Sequence, residues 1–134
     1  MGLDMYLTRK QKGFDFNGDI GYWRKANAIH NWFVKNIQNG IDECQESLVT
    51  KDDLESLLEV CQNVLDTVKL ADGKVIVNQE EIAALLPTIR GYFFGSTDYD
   101  KYYIEDIKDT INILRTALKE TNFDEEEIYY QASW

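Results

Sequence analysis

Two cysteines, one histidine and one proline are all that the chain holds of those three residues. Cys44 and Cys61 form no CxxC pair and have no histidine at ligand spacing, so a zinc site is not expected and both read as buried thiols of a reducing compartment. The Gly-rich dinucleotide fingerprint is missing. Gly95-Ser96-Thr97 lacks the lysine of a phosphate loop, and no GxSxG elbow presents a serine nucleophile. Carboxylates are plentiful, but their spacing does not bring a pair together, so the reading leans away from an enzyme and expects no cofactor and no metal.

No apolar run approaches membrane-spanning length and no charged segment leads into one, which places the protein in the cytoplasm. Gly2 does not fit N-myristoylation, because position 6 is Tyr6 rather than Ser or Thr. Basic residues are few: 14 against 24 acidic ones, a net charge of −10, which opposes contact with phosphate backbones or anionic membranes. An anionic ligand then needs a local cluster of donors. The same acidity permits a surface that imitates nucleic acid, although the acids are spread over all the predicted helices, as on an ordinary solvated face. With 134 residues and 44% apolar content, one domain over 1–134 with a core of its own is expected.

Alternation of Leu3, Met5 and Leu7 with Asp4, Tyr6 and Thr8 predicts a strand with one buried face, followed by a loop and a turn over 14–18. Residues 21–33 are expected to form a helix that ends near Asn39-Gly40. Tyr22, Ala26, Ile29, Phe33 and Ile37 would face the core, with Trp23, Asn27 and His30 on one flank, Arg24 turned to solvent and Lys25 on the other flank. Two tryptophans, two cations, two asparagines and the sole histidine within thirteen residues are a costly way to build a packing helix. Trp23, Asn27 and His30 therefore read as pocket walls, with Arg24 or Lys25 at the mouth.

A short strand is expected within 44–49. Thr50 with Asp53 resembles a capping box that opens a helix with Leu54, Leu57, Cys61 and Val64 inward. Asp72-Gly73 signals a turn into an edge strand over 74–77, and Asn78 with Glu81 caps a brief helix that Pro87 stops. The second informative stretch is 91–100, aromatics between glycines followed by Ser96-Thr97-Asp98, an extended piece turning into a helix over 99–119. Free N–H groups at such a start can hold an anionic oxygen, whereas Asp98 and Asp100 already supply charge there. Gly95, Ser96, Thr97 and Asp98 complete the candidate site. A closing strand over 128–134 would pair with the first, giving an α+β fold of three main helices on a small, mostly antiparallel sheet that includes both termini.

The blocks MGLDMYL at 1–7, GYWRKANAIHNWF at 21–33, LLPT at 85–88 with GYFFGSTDYD at 91–100, and YYQASW at 129–134 resemble a family of small uncharacterised proteins encoded by bacteria and their phages. The resemblance spans nearly the whole chain, implies a variable segment over 69–78, and carries no activity. A phage setting implies action by occupancy in the host cytoplasm. Aromatic rings, guanidinium and amide suit a nucleotide-like molecule, so the leading expectation is non-enzymatic binding of a nucleotide-derived small molecule, a sponge for a host immune signal. The alternatives are a protein-binding inhibitor that mimics nucleic acid, and a small hydrolase or transferase. Direct nucleic-acid or membrane binding is not expected, and a homo-oligomer is left open.

Overall fold

The structure, a computed structural model, describes residues 2–14, 17–91 and 93–134. The turn expected over 14–18 therefore lies partly outside the described residues, as do Met1 and Tyr92. The elements in order are β1 (Asp4–Gln11), β2 (Asn17–Arg24), α1 (Asn27–Asn36), β3 (Ser47–Val49), α2 (Lys51–Thr67), β4 (Lys69–Ala71), β5 (Lys74–Ile76), α3 (Gln79–Leu85), α4 (Lys101–Glu120) and β6 (Glu126–Ser133). The fold is α+β. β2, β1, β6 and β3 lie side by side in that order, every pair antiparallel, and the two terminal strands are neighbours in register Asp4↔Ser133 through Gln11↔Glu126. Among the described residues there are four helices rather than three, the additional one being the short α3.

Met5 and Leu7 of the first strand, Leu3 just before it, and Ile128, Tyr130 and Ala132 of the last are buried, with more exposed residues between those of each strand, so the helices cover one face of the sheet. Ile29 and Phe33 of α1, Leu54, Leu57, Cys61 and Val64 of α2, and Ile104, Ile107, Ile111 and Leu114 of α4 fill the space above it. Phe33 stacks on the Tyr130 ring at 3.8 Å between centroids. The capping box is present as expected, with Thr50 Oγ1 accepting from Asp53 N–H and the Asp53 carboxylate accepting from Thr50 N–H. Asn78 likewise caps α3 through Glu81 N–H. Among the described residues no helix is long and apolar enough to cross a membrane.

The expected helix over 21–33 is not one element. Its first four residues end β2, where Trp23 pairs with Met5 and Tyr22 with Tyr6. Tyr22 is 50% exposed and Trp23 only 4%, the alternation of a strand, so Tyr22 does not join the core stripe. Gly21 sits where an added Cβ would come within 2.5 Å of Ile113 Cγ2, and this close approach of strand to α4 explains the glycine. Lys25 then takes a left-handed φ of 57°, and the helix begins at Asn27. Its end agrees better with expectation: Asn39 and Gly40 are both left-handed, and Gly40 N–H returns to the Val34 carbonyl.

Candidate functional site

Asn27, the first residue of α1, is 3% exposed and holds the loop between α3 and α4 in place. Its amide nitrogen donates to the carbonyls of Phe94 (3.1 Å) and Ser96 (2.8 Å), and its oxygen accepts from Ile89 N–H (3.1 Å). Two carbonyls and one N–H fix which end of the amide is which. One turn further on, Asn31 donates to the Pro87 carbonyl at 3.2 Å. Within the loop, the Thr88 hydroxyl donates to the Thr97 carbonyl, while Tyr103 of α4 donates to the Leu86 carbonyl at 2.6 Å. Gly95 closes the arrangement: at φ 87° and with a built Cβ only 3.0 Å from Lys25 Cβ, it has both the backbone and the lack of side chain that the contact requires.

Between the β2–α1 junction, this loop and α4 lies a pocket of about 240 Å³. Of the nine residues singled out in the sequence, Arg24, Lys25, Asn27, Gly95, Ser96 and Asp98 line it, and Trp23, His30 and Thr97 do not. The two polar clusters thus meet, through Asn27 and its neighbours Arg24 and Lys25 but without Trp23 and His30. Trp23 is a core residue whose Nε1–H donates to Thr110 Oγ1 at 2.8 Å and whose ring meets Phe33 edge-on. Thr97 contributes its carbonyl to Thr88 rather than a side chain to the cavity.

His30 is 1% exposed and faces the other way. Its Nδ1 is 2.6 Å from the Tyr130 hydroxyl and its Nε2 is 3.0 Å from Asp42 Oδ1, the latter within ion-pair distance but off a good hydrogen-bond direction. Burial, with Asp42 and Cys44 adding to it, holds the Tyr130 phenol well above its ordinary titration range. The phenol and Nδ1 share one hydrogen bond, and Nε2 lies beside the Asp42 carboxylate. This buried chain ties β6 to α1 and to the segment before β3, a structural role.

The α1 N-terminus gives the pocket its character. Ala26 stands in the cap position and has no side-chain acceptor, and the first turn carries no acid. Asn27 N–H bonds the Lys25 carbonyl and His30 N–H the Ala26 carbonyl; among the described residues the N–H groups of Ala28 and Ile29, both lining the pocket, have no partner. By contrast, α4 is capped by Asp100, whose carboxylate accepts from Tyr102 and Tyr103 N–H, so this helix start is filled by an acid of the chain itself, the alternative to an anion site that Asp98 and Asp100 had suggested. Lys25 is in no ion pair among the described residues, and Arg24 makes a 3.4 Å contact with Asp4 and acts on the neighbouring Tyr22 hydroxyl.

Acids share the pocket with these donors. Asp98, Asp100 and Asp106 line it too, with Tyr102, which is 63% exposed. Tyr102 and Asp106 are four residues apart on α4, next to the inward stripe of Tyr103 and Ile107; that spacing was the available signal for them, masked because neither departs from ordinary helix composition. Burial, then the carboxylates of Asp109, Glu105 and Asp100, pushes Asp106 up to about 6 from 3.8. The folded state thus binds this proton more tightly than the unfolded chain, so its contribution to stability is present at low pH and is lost as pH rises from about 4 to about 6. Because Asp106 keeps a solvent-facing side, water screens part of the effect. Asp106→Asn should gain stability over the parent at pH 7.5 and less at pH 4.5. Urea midpoints at the two pH values check this, and an unchanged gap would refute the shift.

No family model, curated protein or solved structure matches the chain.

Proposed function

We propose that the chain binds a nucleotide-derived small molecule in this pocket without turning it over, and acts as a sponge for a signal of the host cell. The observation that carries the reading is the uncapped α1 terminus: the N–H groups of Ala28 and Ile29 and the positive end of a helix dipole open on a cavity that Lys25 also lines. A phosphate fits there, with Arg24 at the rim. The acids suit the rest of such a ligand, since a ribose offers hydroxyl donors to Asp98, and the Ser96 hydroxyl, which accepts Asp98 N–H, retains its own proton to give. The exposed Tyr102 ring offers a face for a base. Asn27, with its amide fully engaged, supports the loop rather than reading the ligand. The likeness of the sequence blocks to small phage and bacterial proteins supplies the setting of a counter-defence protein in host cytoplasm.

Isothermal titration with a panel of nucleotides and cyclic nucleotides tests the reading. Binding without product formation is expected, and Lys25→Ala should weaken it at least tenfold, about 1.4 kcal/mol. Neutralising the exposed Asp124 and Glu125, and the half-buried Glu126 that pairs with Arg9, should change it little. Product formation would make the protein a hydrolase or transferase. A panel that fails to bind at millimolar concentration would sink the proposal, and dependence of function on the three acids and on salt would favour the nucleic-acid mimic.

A further inference from the structure

The hairpin of β4 and β5 has no evident packing role. All six of its strand residues are exposed, with Leu70 at 76%, and the pair stands apart from the main sheet, joined by Asp72 and Gly73. An isolated two-stranded hairpin is marginal in water, so its place against the body of the protein matters. That place is the start of α4. Between the hairpin and α4 runs an open cleft of about 480 Å³ lined by Lys74, Val75, Val77, Tyr99, Asp100 and Lys101.

Asp100 also lines the pocket described above, so the two cavities adjoin along the first turn of α4. Its carboxylate accepts from two N–H groups of α4, which moderates its repulsion of an anion on either side. Tyr102 lines the first cavity and Lys101 the second, with the ammonium 5.0 Å from the ring centroid. Each cavity has its own pair of cations, Arg24 and Lys25 in one, Lys74 and Lys101 in the other, although the chain as a whole carries −10. Lys74 and Lys101, like Lys25, are in no ion pair among the described residues.

We infer that the cavities are two subsites of one groove, and that the ligand is a dinucleotide: one phosphate at the α1 terminus with Lys25, the second between Lys74 and Lys101, the Tyr102 ring between them. This rests on the nucleotide reading of the first pocket and adds the second unit. The first cavity, at about 240 Å³, is below the usual range of about 300–1,000 Å³ for a small-molecule site, which leaves part of a nucleotide-sized ligand to extend beyond it. Two linked contacts also strengthen each other, because the second phosphate arrives at high local concentration once the first is seated.

Titration of the full chain with adenosine and guanosine monophosphates, and with the cyclic dinucleotides built from them, separates the two levels. The dinucleotide of the preferred base should bind at least tenfold more tightly than its monophosphate. The double variant Lys74→Ala/Lys101→Ala, shown to be folded by circular dichroism, should bring the dinucleotide down to the monophosphate's affinity and leave the monophosphate within twofold, while Lys25→Ala weakens both. Monophosphate binding with no gain from the second unit, or equal weakening of both ligands in the double variant, overturns the second subsite and leaves the first pocket standing. Failure of all the ligands overturns the nucleotide reading and the inference together.

Discussion

Asn27→Ala should cost the fold about 3–5 kcal/mol. The substitution removes three hydrogen bonds at a position only 3% exposed, stranding the buried Phe94 carbonyl and the part-buried Ile89 N–H and Ser96 carbonyl. Each buried group left without a partner carries a penalty of about 1–3 kcal/mol, against which some local relaxation has to be set. Asn27→Asp is the sharper variant because it keeps the shape and the acceptor for Ile89 while pointing a carboxylate at two carbonyl oxygens. It should be destabilised comparably at neutral pH and recover partly in acid. Urea denaturation gives the cost, and amide exchange at Ile89 locates it. A loss under 1 kcal/mol, with Ile89 still protected, would show that the loop is held by something other than this amide.

Trp23→Ala is expected to be as damaging, about 3–5 kcal/mol, as for a large aromatic removed from a packed interior. Its ring is 4% exposed, packed edge-on against Phe33 and anchored to Thr110 on α4. Against a typical total of about 5–15 kcal/mol, either substitution leaves a marginal fold. Trp23→Phe separates packing from binding, since it keeps most of the buried area and loses the indole N–H. Its stability should fall by about 1–2 kcal/mol, and the folded variant should bind ligand as the parent does. Thermal unfolding paired with titration checks both. Weakened binding in a folded Trp23→Phe would return the tryptophan to the pocket wall, where its sequence neighbourhood had suggested it stood.

Why that suggestion failed is instructive. Tyr22, Ala26, Ile29 and Phe33 are spaced as on a helix, but Tyr22 and Trp23 also alternate as on a strand, and a window across a strand–helix junction satisfies both periods. The element that separates them is Lys25 at φ 57°, and a left-handed lysine leaves no mark in a sequence where glycine or asparagine would have announced it. The absent cap at Ala26 is equally silent. Local chemistry was easier to read: Thr50 with Asp53, Asn78 with Glu81, and Asn39-Gly40 each act where their side chains and backbone preferences place them. The terminal strands were legible because Leu3, Met5 and Leu7 alternate cleanly. The strand at 69–71 was not, since Lys69-Leu70-Ala71 has little strand propensity and owes its pairing to the turn that follows.

The position of the first strand has a consequence for how the chain comes to be folded at all. β1 lies between β2, its near neighbour in sequence, and β6, where the His30 to Tyr130 contact alone spans 100 residues. A ribosome delivers β1 and β2 long before β6, so the inner edge of β1 waits for a partner through most of synthesis. Sheets closed by such distant pairings form slowly, in about milliseconds to seconds, and a bare strand edge invites association with other chains meanwhile. Arg9 and Lys10 stand at the far end of that edge, in a chain otherwise rich in acid. Cations there keep nascent copies apart until residues 126–133 arrive, and a chain stopped short of them would retain the sequence of every helix while exposing the edges of β1 and β3 that the last strand conceals.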